Sequence, residues 1–287
     1  MKVVSFSLEQ GNKYFGVVDG GPKFFIGSRV NFQGNKGLQN ITGTADQKYD
    51  RASFRPTFGF WADFIHPTAM AEGGLYHTLN TYDRARCTFA FLQFAAHVPN
   101  GDFVVFLRTL LGLPAATEYF PDLTLQNQRI CKIGDSGPTP IETDSSTELL
   151  MDYFNPSSDE VEDTEVIQAA KLVQWSQTDP DHRKAQVKVG IDEFRSKMKT
   201  YAGWYPMLDG AVPQICLMVA DIHHQGRASS TTVRMALQSS DPLAALLTIG
   251  EGPFGPRLQT LRQEIGVLTN DGTFGSLKYS ATKNDFI

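Results

Sequence analysis

The chain has few cysteines and no long apolar run. Its 287 residues include only three cysteines, Cys87, Cys131 and Cys216, which are widely spaced. An odd count without paired spacing argues against a disulfide framework or a zinc motif and indicates reduced, mostly buried thiols. No apolar stretch reaches the length of a membrane span, so we expect no integral membrane contact.

Several other signals are missing. Glu9 interrupts the N-terminal segment before the apolar part of a secretion signal is complete, so we expect a protein made in the cytoplasm without a Sec signal peptide. The sequence has no nucleophile elbow, no phosphate-binding loop, no dinucleotide fingerprint and no H-E-x-x-H motif. We therefore expect no cofactor. A cysteine hydrolase that uses Cys87 with His97 or His223 remains an alternative.

Charge is unevenly distributed along the chain. The net charge of -5 argues against a nucleic-acid-binding protein, which usually carries a basic patch. No lysine or arginine lies between Ile133 and Ala170. Acidic residues accumulate there instead: Asp135, Glu142, Asp144, Glu148, Asp152, Asp159, Glu160, Glu162, Asp163 and Glu165. The region near 134–165 is predicted to be an exposed, solvated loop insertion with a short helix near Leu149–Phe154.

The remaining pattern predicts a mainly α (α+β) protein. Short β-type runs alternate with glycine and asparagine turns over residues 1–55, which predicts a small β-rich N-terminal element. Residues 56–287 are predicted to form one mostly helical domain. Its expected helices are 89–96, 101–111, 165–176, 180–199, 212–224, 229–239 and 241–249, the third of these lying after the acidic region.

Two carboxylates suggest chemistry. Glu72 stands where an apolar, helix-like run meets Gly73 and Gly74, and Asp83 follows in a polar turn between two strand-like runs. The negative end of a helix and partial burial both favour a protonated Glu72, while Asp83 in its polar turn should stay ionised. Glycoside hydrolysis commonly uses such a pair. The alternatives are a surface Glu72 before a turn and an Asp83 that merely caps a turn.

The order of residues resembles the lysozyme superfamily, which includes phage-type and goose-type lysozymes, lytic transglycosylases and chitosanases. The resemblance is carried by Glu72-Gly73, Asp83, Thr88 and His97 in that order, and by the run from Thr88 to Phe94. Ala90 stands where these proteins have glycine. The resemblance implies a two-lobed helical domain with a small β-hairpin wing.

The same resemblance implies roles for individual residues. Glu72 would be the general acid, Asp83 the base or electrostatic partner, and Thr88 the group that positions water. Sugar-binding candidates are Asn80, Thr81, Tyr82, Gln93 and His97. His223 and His224 end another apolar helix before Gly226 and are further candidates for lining the cleft. Helix capping is the alternative for His224. Adjacent histidines point to different faces of a helix, so we expect no metal.

The implied substrate is a polysaccharide with β-1,4 links between amino sugars. Arg84, Arg86, His77, Asn80 and Gln93 stand against Asp83 and Glu72, and the acidic region is distant in the chain, which favours peptidoglycan over chitosan. Action at the wall would require lysis or dedicated export, and the sequence leaves open whether a delivery apparatus or an immunity partner takes part. The alternative from another class is a non-catalytic glycan-binding or structural component of a phage or secretion system.

Overall fold

The computed structural model describes residues 1–287. Helices contain 46% of the residues and strands 18%, so the chain belongs to the mixed α+β class. It folds into two compact units. The first unit comprises Met1–Lys48 and Gly73–Val189, and the second comprises Tyr49–Glu72 and Gly190–Ile287.

One antiparallel sheet of seven strands dominates the first unit, with its strands in chain order. The strands are β1 (Val4–Glu9), β2 (Lys13–Val18), β3 (Phe24–Phe32), β4 (Asn35–Asn40), β5 (Leu79–Asn80), β6 (Thr88–Phe89) and β7 (Phe94–Ala95). The β-type runs expected near the N-terminus are confirmed by β1, β2 and β3. Because β4 pairs with β5, the N-terminal strands and the Asp83 turn belong to one sheet.

A second, three-stranded sheet and several helices complete the first unit. The sheet contains β8 (Leu123–Gln126), β9 (Arg129–Gly134) and β10 (Gly137–Pro140). The helices are α4 (Asp102–Leu111), α5 (Ala116–Tyr119), α6 (Glu148–Phe154) and α7 (Asp163–Thr178). α4, α6 and α7 confirm three of the expected helices. α8 (Pro180–Trp204) also confirms an expected helix and contributes residues to both units.

Aromatic side chains fill the core of the first unit. His182 is fully buried and its ring packs against Phe89, Phe106 and Trp175. Burial lowers the pKa of His182 to about 3, because a charged imidazole would lose its hydration there. His182 is therefore a neutral core residue.

The helix expected over residues 89–96 is wrong. Phe89 pairs with Phe94 across a four-residue turn, and Thr88 pairs with Ala95. The apolar run is buried on nearly all sides, so its composition could not separate a helix from a tight hairpin. Ala90 in this turn has φ of 83°, a region that glycine enters freely and other residues enter with strain. The alanine noted from the sequence thus occupies a conformation suited to glycine.

The exposed, solvated insertion expected near 134–165 is also wrong in part. β9 and β10 form a hairpin at its start, and the carboxylates of Glu142 and Glu165 are buried. Glu142 forms ion pairs with Arg108 and Arg129. Both arginines lie outside the acidic stretch, so local composition could not reveal the compensation.

Helices build most of the second unit. They are α1 (Arg51–Phe58), α2 (Phe60–Phe64), α3 (His66–Ala71), α9 (Pro213–Gln225), α10 (Ser230–Leu237), α11 (Pro242–Thr248) and α12 (Gly255–Asn270). A short hairpin joins β11 (Tyr279–Ser280) to β12 (Asp285–Phe286). α9, α10 and α11 confirm expected helices, and α12 was not expected. None of the helices is both long enough and apolar enough to cross a membrane.

Candidate functional site

Glu72 lies at the end of α3, as the sequence indicated. Its backbone N–H donates to the carbonyl of Thr68 at 3.0 Å, which closes the last helical turn. Gly73 and Gly74 follow with φ of 93° and 71°, conformations that end the helix because they favour glycine. The side chain of Glu72 is only 10% exposed.

Two basic side chains of the second unit face the Glu72 carboxylate. Arg257, near the start of α12, places Nη1 at 2.5 Å from Oε1 of Glu72. His224, near the end of α9, places Nε2 at 3.8 Å from the same oxygen. Glu72 therefore has a direct ion pair with Arg257 and a longer contact with His224.

Asp221, on α9, fixes the position of the Arg257 side chain. It is fully buried, and its two oxygens accept from Nη2 and Nε of Arg257 at 2.6 and 3.2 Å. Thr68 donates to Asp221 at 3.0 Å, and the buried Arg227 forms a further ion pair with it. Burial alone would raise the pKa of Asp221, but Arg257 first and Arg227 second outweigh it and lower that pKa. Asp221 is thus a permanently charged anchor.

The polar groups in this cluster are balanced in charge. With Glu72 ionised, two carboxylates face two guanidinium groups, those of Arg227 and Arg257. We define this set, Thr68, Glu72, Asp221, His224, Arg227 and Arg257, as the Glu72 cluster. Every member lies in the second unit.

The adjacent histidines have separate surroundings, as expected for neighbours on a helix. His224 faces Glu72, whereas Nε2 of His223 shares a 2.9 Å hydrogen bond with the Tyr205 hydroxyl. The ring of His223 stacks on Tyr201 with centroids 4.7 Å apart. Burial lowers the pKa of His223. Gly226 ends α9 with φ of 68°, which confirms the expected cap.

Asp83 lies in the first unit, in the turn between β5 and β6. Its Oδ2 accepts from Nδ2 of Asn80 at 3.0 Å, and its Oδ1 accepts from the N–H of Ala85 at 2.8 Å. Oδ1 of Asn80 accepts from the N–H of Tyr82 at 3.1 Å. These bonds shape the turn, so Asp83 is at least a turn-forming residue. Glu72 and Asp83 belong to different units.

The other candidates of the first unit surround this turn. Thr88 is buried and pairs with Asn80 across the sheet. Tyr82 accepts a 2.9 Å bond from Gln39 through its hydroxyl. Gln93 sits in the β6–β7 turn with φ of 55°. Burial and then the charge of Arg84 lower the pKa of His97, against the opposing charge of Asp83, so His97 lies within the electrostatic range of that carboxylate.

Thr81 leads to a residue that the sequence did not single out. Its hydroxyl accepts from the N–H of Leu38 at 2.6 Å and donates to Glu165. Glu165 is fully buried, and its Oε2 has no hydrogen-bond partner. Burial raises the pKa of Glu165 to about 7. Glu165, Ala169 and Leu172 follow the spacing of one helix face, and all three are buried. This spacing could have indicated from the sequence that Glu165 faces the core.

Arg257 was not among the residues that the sequence analysis selected, although the sequence around it contains a helical pattern. Leu258, Leu261, Ile265 and Leu268 are buried and follow the spacing of an amphipathic helix, with Pro256 near its start. That pattern predicts α12 and would have placed Arg257 at the edge of its apolar face. It would not have identified Glu72 as the partner.

The acidic region reaches the turn that holds Asp83. Arg86 forms an ion pair with Asp152 at 2.6 Å and another with Glu148. The acidic residues, although distant in the chain, therefore reach this segment in the fold. These ion pairs neutralise Arg86, one of the cations on which the preference for peptidoglycan was based.

Cysteine chemistry and metal binding find no geometric support. All three cysteines are free and buried, as expected. Burial is the main cause that raises the pKa of Cys87, with Asp83 and Glu165 adding to it, so the reactive thiolate is disfavoured. No three His, Cys, Asp or Glu side chains lie together as a metal site would require.

Comparison with protein-family models, with curated proteins and with solved structures returned no match. Function must therefore be argued from the residues themselves.

Proposed function

We propose that the protein is a glycoside hydrolase of the lysozyme-like type, which cleaves β-1,4 links between amino sugars in peptidoglycan. The observation that carries this proposal is the position of Glu72. It ends a helix and is largely buried. A helix-end glutamate in partly desolvated surroundings suits general acid catalysis.

Each residue then has a defined part. Glu72 is the proposed proton donor to the leaving oxygen, and the partly exposed His224 lies beside it, with Nε2 at 3.8 Å from Oε1 of Glu72. Arg257 holds the carboxyl group in place because Asp221 fixes its guanidinium with two contacts. The order of residues in the chain indicated Asp83 as the second carboxylate and Thr88 as a water-positioning group, but both belong to the first unit, whereas Glu72 belongs to the second.

Replacing Glu72 tests the proposal. We expect Glu72→Gln to lower the release of reducing ends from purified wall sacculi by about a hundredfold or more, because general acids contribute on that order. The matched control is Glu251→Gln, which removes an exposed carboxylate of the same unit. Equal activity of the wild type and Glu72→Gln, with both proteins folded by circular dichroism, would remove the assignment.

A non-catalytic glycan-binding or structural protein is the second candidate. The charge balance of the Glu72 cluster favours it, because the two arginines already neutralise both carboxylates. Such a protein would bind sacculi without releasing reducing ends, and Glu72→Gln would lower its stability without lowering its glycan affinity. Turnover by the wild type that disappears in Glu72→Gln would exclude it.

A further inference from the structure

An open groove in the first unit is lined by none of the residues assigned above. It is formed by the hairpin of β3 and β4 and by the segment that precedes α7. Its volume is about 460 Å³, and its lining residues are Arg29, Val30, Asn31, Lys36, Glu160 and Val161. The N–H of Lys36 donates to the carbonyl of Ser158 at 2.7 Å, so the two walls are bonded to each other. This volume is in the range of small-ligand sites.

The charged groups of the groove are positioned but not neutralised by the chain. Nη2 of Arg29 donates to the Tyr14 hydroxyl at 2.6 Å, and its guanidinium lies 5.2 Å from the centre of the Tyr14 ring. These contacts orient Arg29 without cancelling its charge. Lys36 and Glu160 form no ion pair with any residue of the chain. The groove therefore offers two cations, one carboxylate and the amide of Asn31.

This combination selects a particular ligand chemistry. Carboxylates of a ligand would pair with Arg29 and Lys36, and an ammonium group would pair with Glu160. A neutral oligosaccharide offers no charge that complements these three exposed groups. We propose that the groove binds a short peptide that carries both carboxylates and a free amine. The choice of the peptide attached to wall glycan rests on the proposed function.

The probe is the synthetic peptide L-Ala-γ-D-Glu-meso-diaminopimelate, titrated calorimetrically into the full-length protein at low salt. We expect Lys36→Met and Glu160→Gln each to weaken binding about fivefold, as the loss of a partly exposed charge pair would. The matched controls are Lys184→Met and Glu118→Gln, which remove exposed charges elsewhere in the same unit. Both controls should bind as the wild type does.

A second peptide tests whether the amine of the ligand pairs with Glu160. With its amines acetylated, the peptide should bind the wild type about fivefold more weakly. The Glu160→Gln variant should bind the acetylated peptide and the free peptide with equal affinity, because the variant has no carboxylate to pair with the amine. Absence of binding at millimolar peptide would overturn the inference, and so would unchanged binding by Lys36→Met and Glu160→Gln. Equal binding of the free and acetylated peptides by the wild type would overturn it too.

The peptide-binding proposal and the glycan-cleavage proposal can be tested independently of each other. A wild type that binds the peptide but releases no reducing ends from sacculi would contradict the proposed hydrolase and leave the groove assignment standing. A wild type that cleaves sacculi but does not bind the peptide would contradict the groove assignment alone. Glu72→Gln should retain peptide binding, because Glu72 does not line the groove.

Discussion

Glu165 shows how one buried carboxyl group makes stability depend on pH. Its carboxyl group is fully buried and accepts a hydrogen bond from Thr81. Burial raises its pKa from 4.5 to about 7. As pH rises between these values, the unfolded chain releases the proton while the folded chain retains it. The free energy of unfolding should therefore fall as pH rises through this window, by about 3 kcal/mol in all.

We expect Glu165→Gln to remove that dependence. The variant should match the wild type near pH 4 and exceed its free energy of unfolding by up to about 3 kcal/mol at pH 8. Urea unfolding at both pH values measures the difference. Glu118→Gln, at an exposed position in the same unit, should leave the wild-type dependence intact. A Glu165→Gln variant with the same pH dependence as the wild type would show that Glu165 is not its source.

At the residue scale, the sequence indicated Glu72 and, among the candidates for lining the cleft, its neighbour His224, but not its partner Arg257. The glycine pair after an apolar run is a local signal, and Glu72 does end α3. Arg257 and Asp221 contact one another from distant parts of the chain. No local pattern encodes such a contact. The same limit applies to Glu165, whose burial depends on Thr81 and Leu38.

At the scale of elements, most of the helices were predicted, α12 being an exception, whereas the short strands β6 and β7 were not. α7, α9 and α10 follow the helical spacing of apolar residues and end near the predicted positions. β6 and β7 contain two residues each, too few to show an alternating pattern. Pairing with β5 decides their conformation, and this tertiary pairing outweighs the helix-like composition of the run.

The Glu72 cluster joins α3, α9 and α12 within the second unit. We expect Asp221→Asn to lower the free energy of unfolding by about 3 to 5 kcal/mol, because it leaves the buried Arg227 and Arg257 without an anchoring charge. Thr68→Val removes one hydrogen bond to Asp221 and should cost only about 1 kcal/mol. Chemical unfolding of both variants at neutral pH measures these losses.

The test is whether Asp221→Asn loses more free energy of unfolding than Thr68→Val does. Glu251→Gln, an exposed carboxylate of the same unit, serves as the control and should change stability by less than about 1 kcal/mol. If Asp221→Asn were as stable as this control, the cluster would not hold the three helices together. Its polar groups would then be available for function at little structural cost.

At the scale of the whole molecule, net charge and local charge point in different directions. The chain carries a net charge of -5, which would suit a cationic polymer such as chitosan. The groove instead collects Arg29 and Lys36 against Glu160. Arg86 is neutralised by Glu148 and Asp152, so the Asp83 turn is less basic than its sequence suggested. The sum of charges therefore does not describe the charge at the groove or at the Asp83 turn.

We expect purified wall sacculi to be cleaved faster than soluble chitosan at matched pH and ionic strength. Peptidoglycan carries N-acetyl, lactyl and peptide groups, which call for amides, aromatic rings and cations. Asn80, Tyr82 and Arg84 supply such groups near Asp83. Chitosan carries amines and would require additional carboxylates. Initial rates of reducing-end release on both polymers, with Glu72→Gln as the blank, measure the preference. Rapid cleavage of chitosan with inert sacculi would reverse the substrate assignment, although Glu72 would remain the proposed acid.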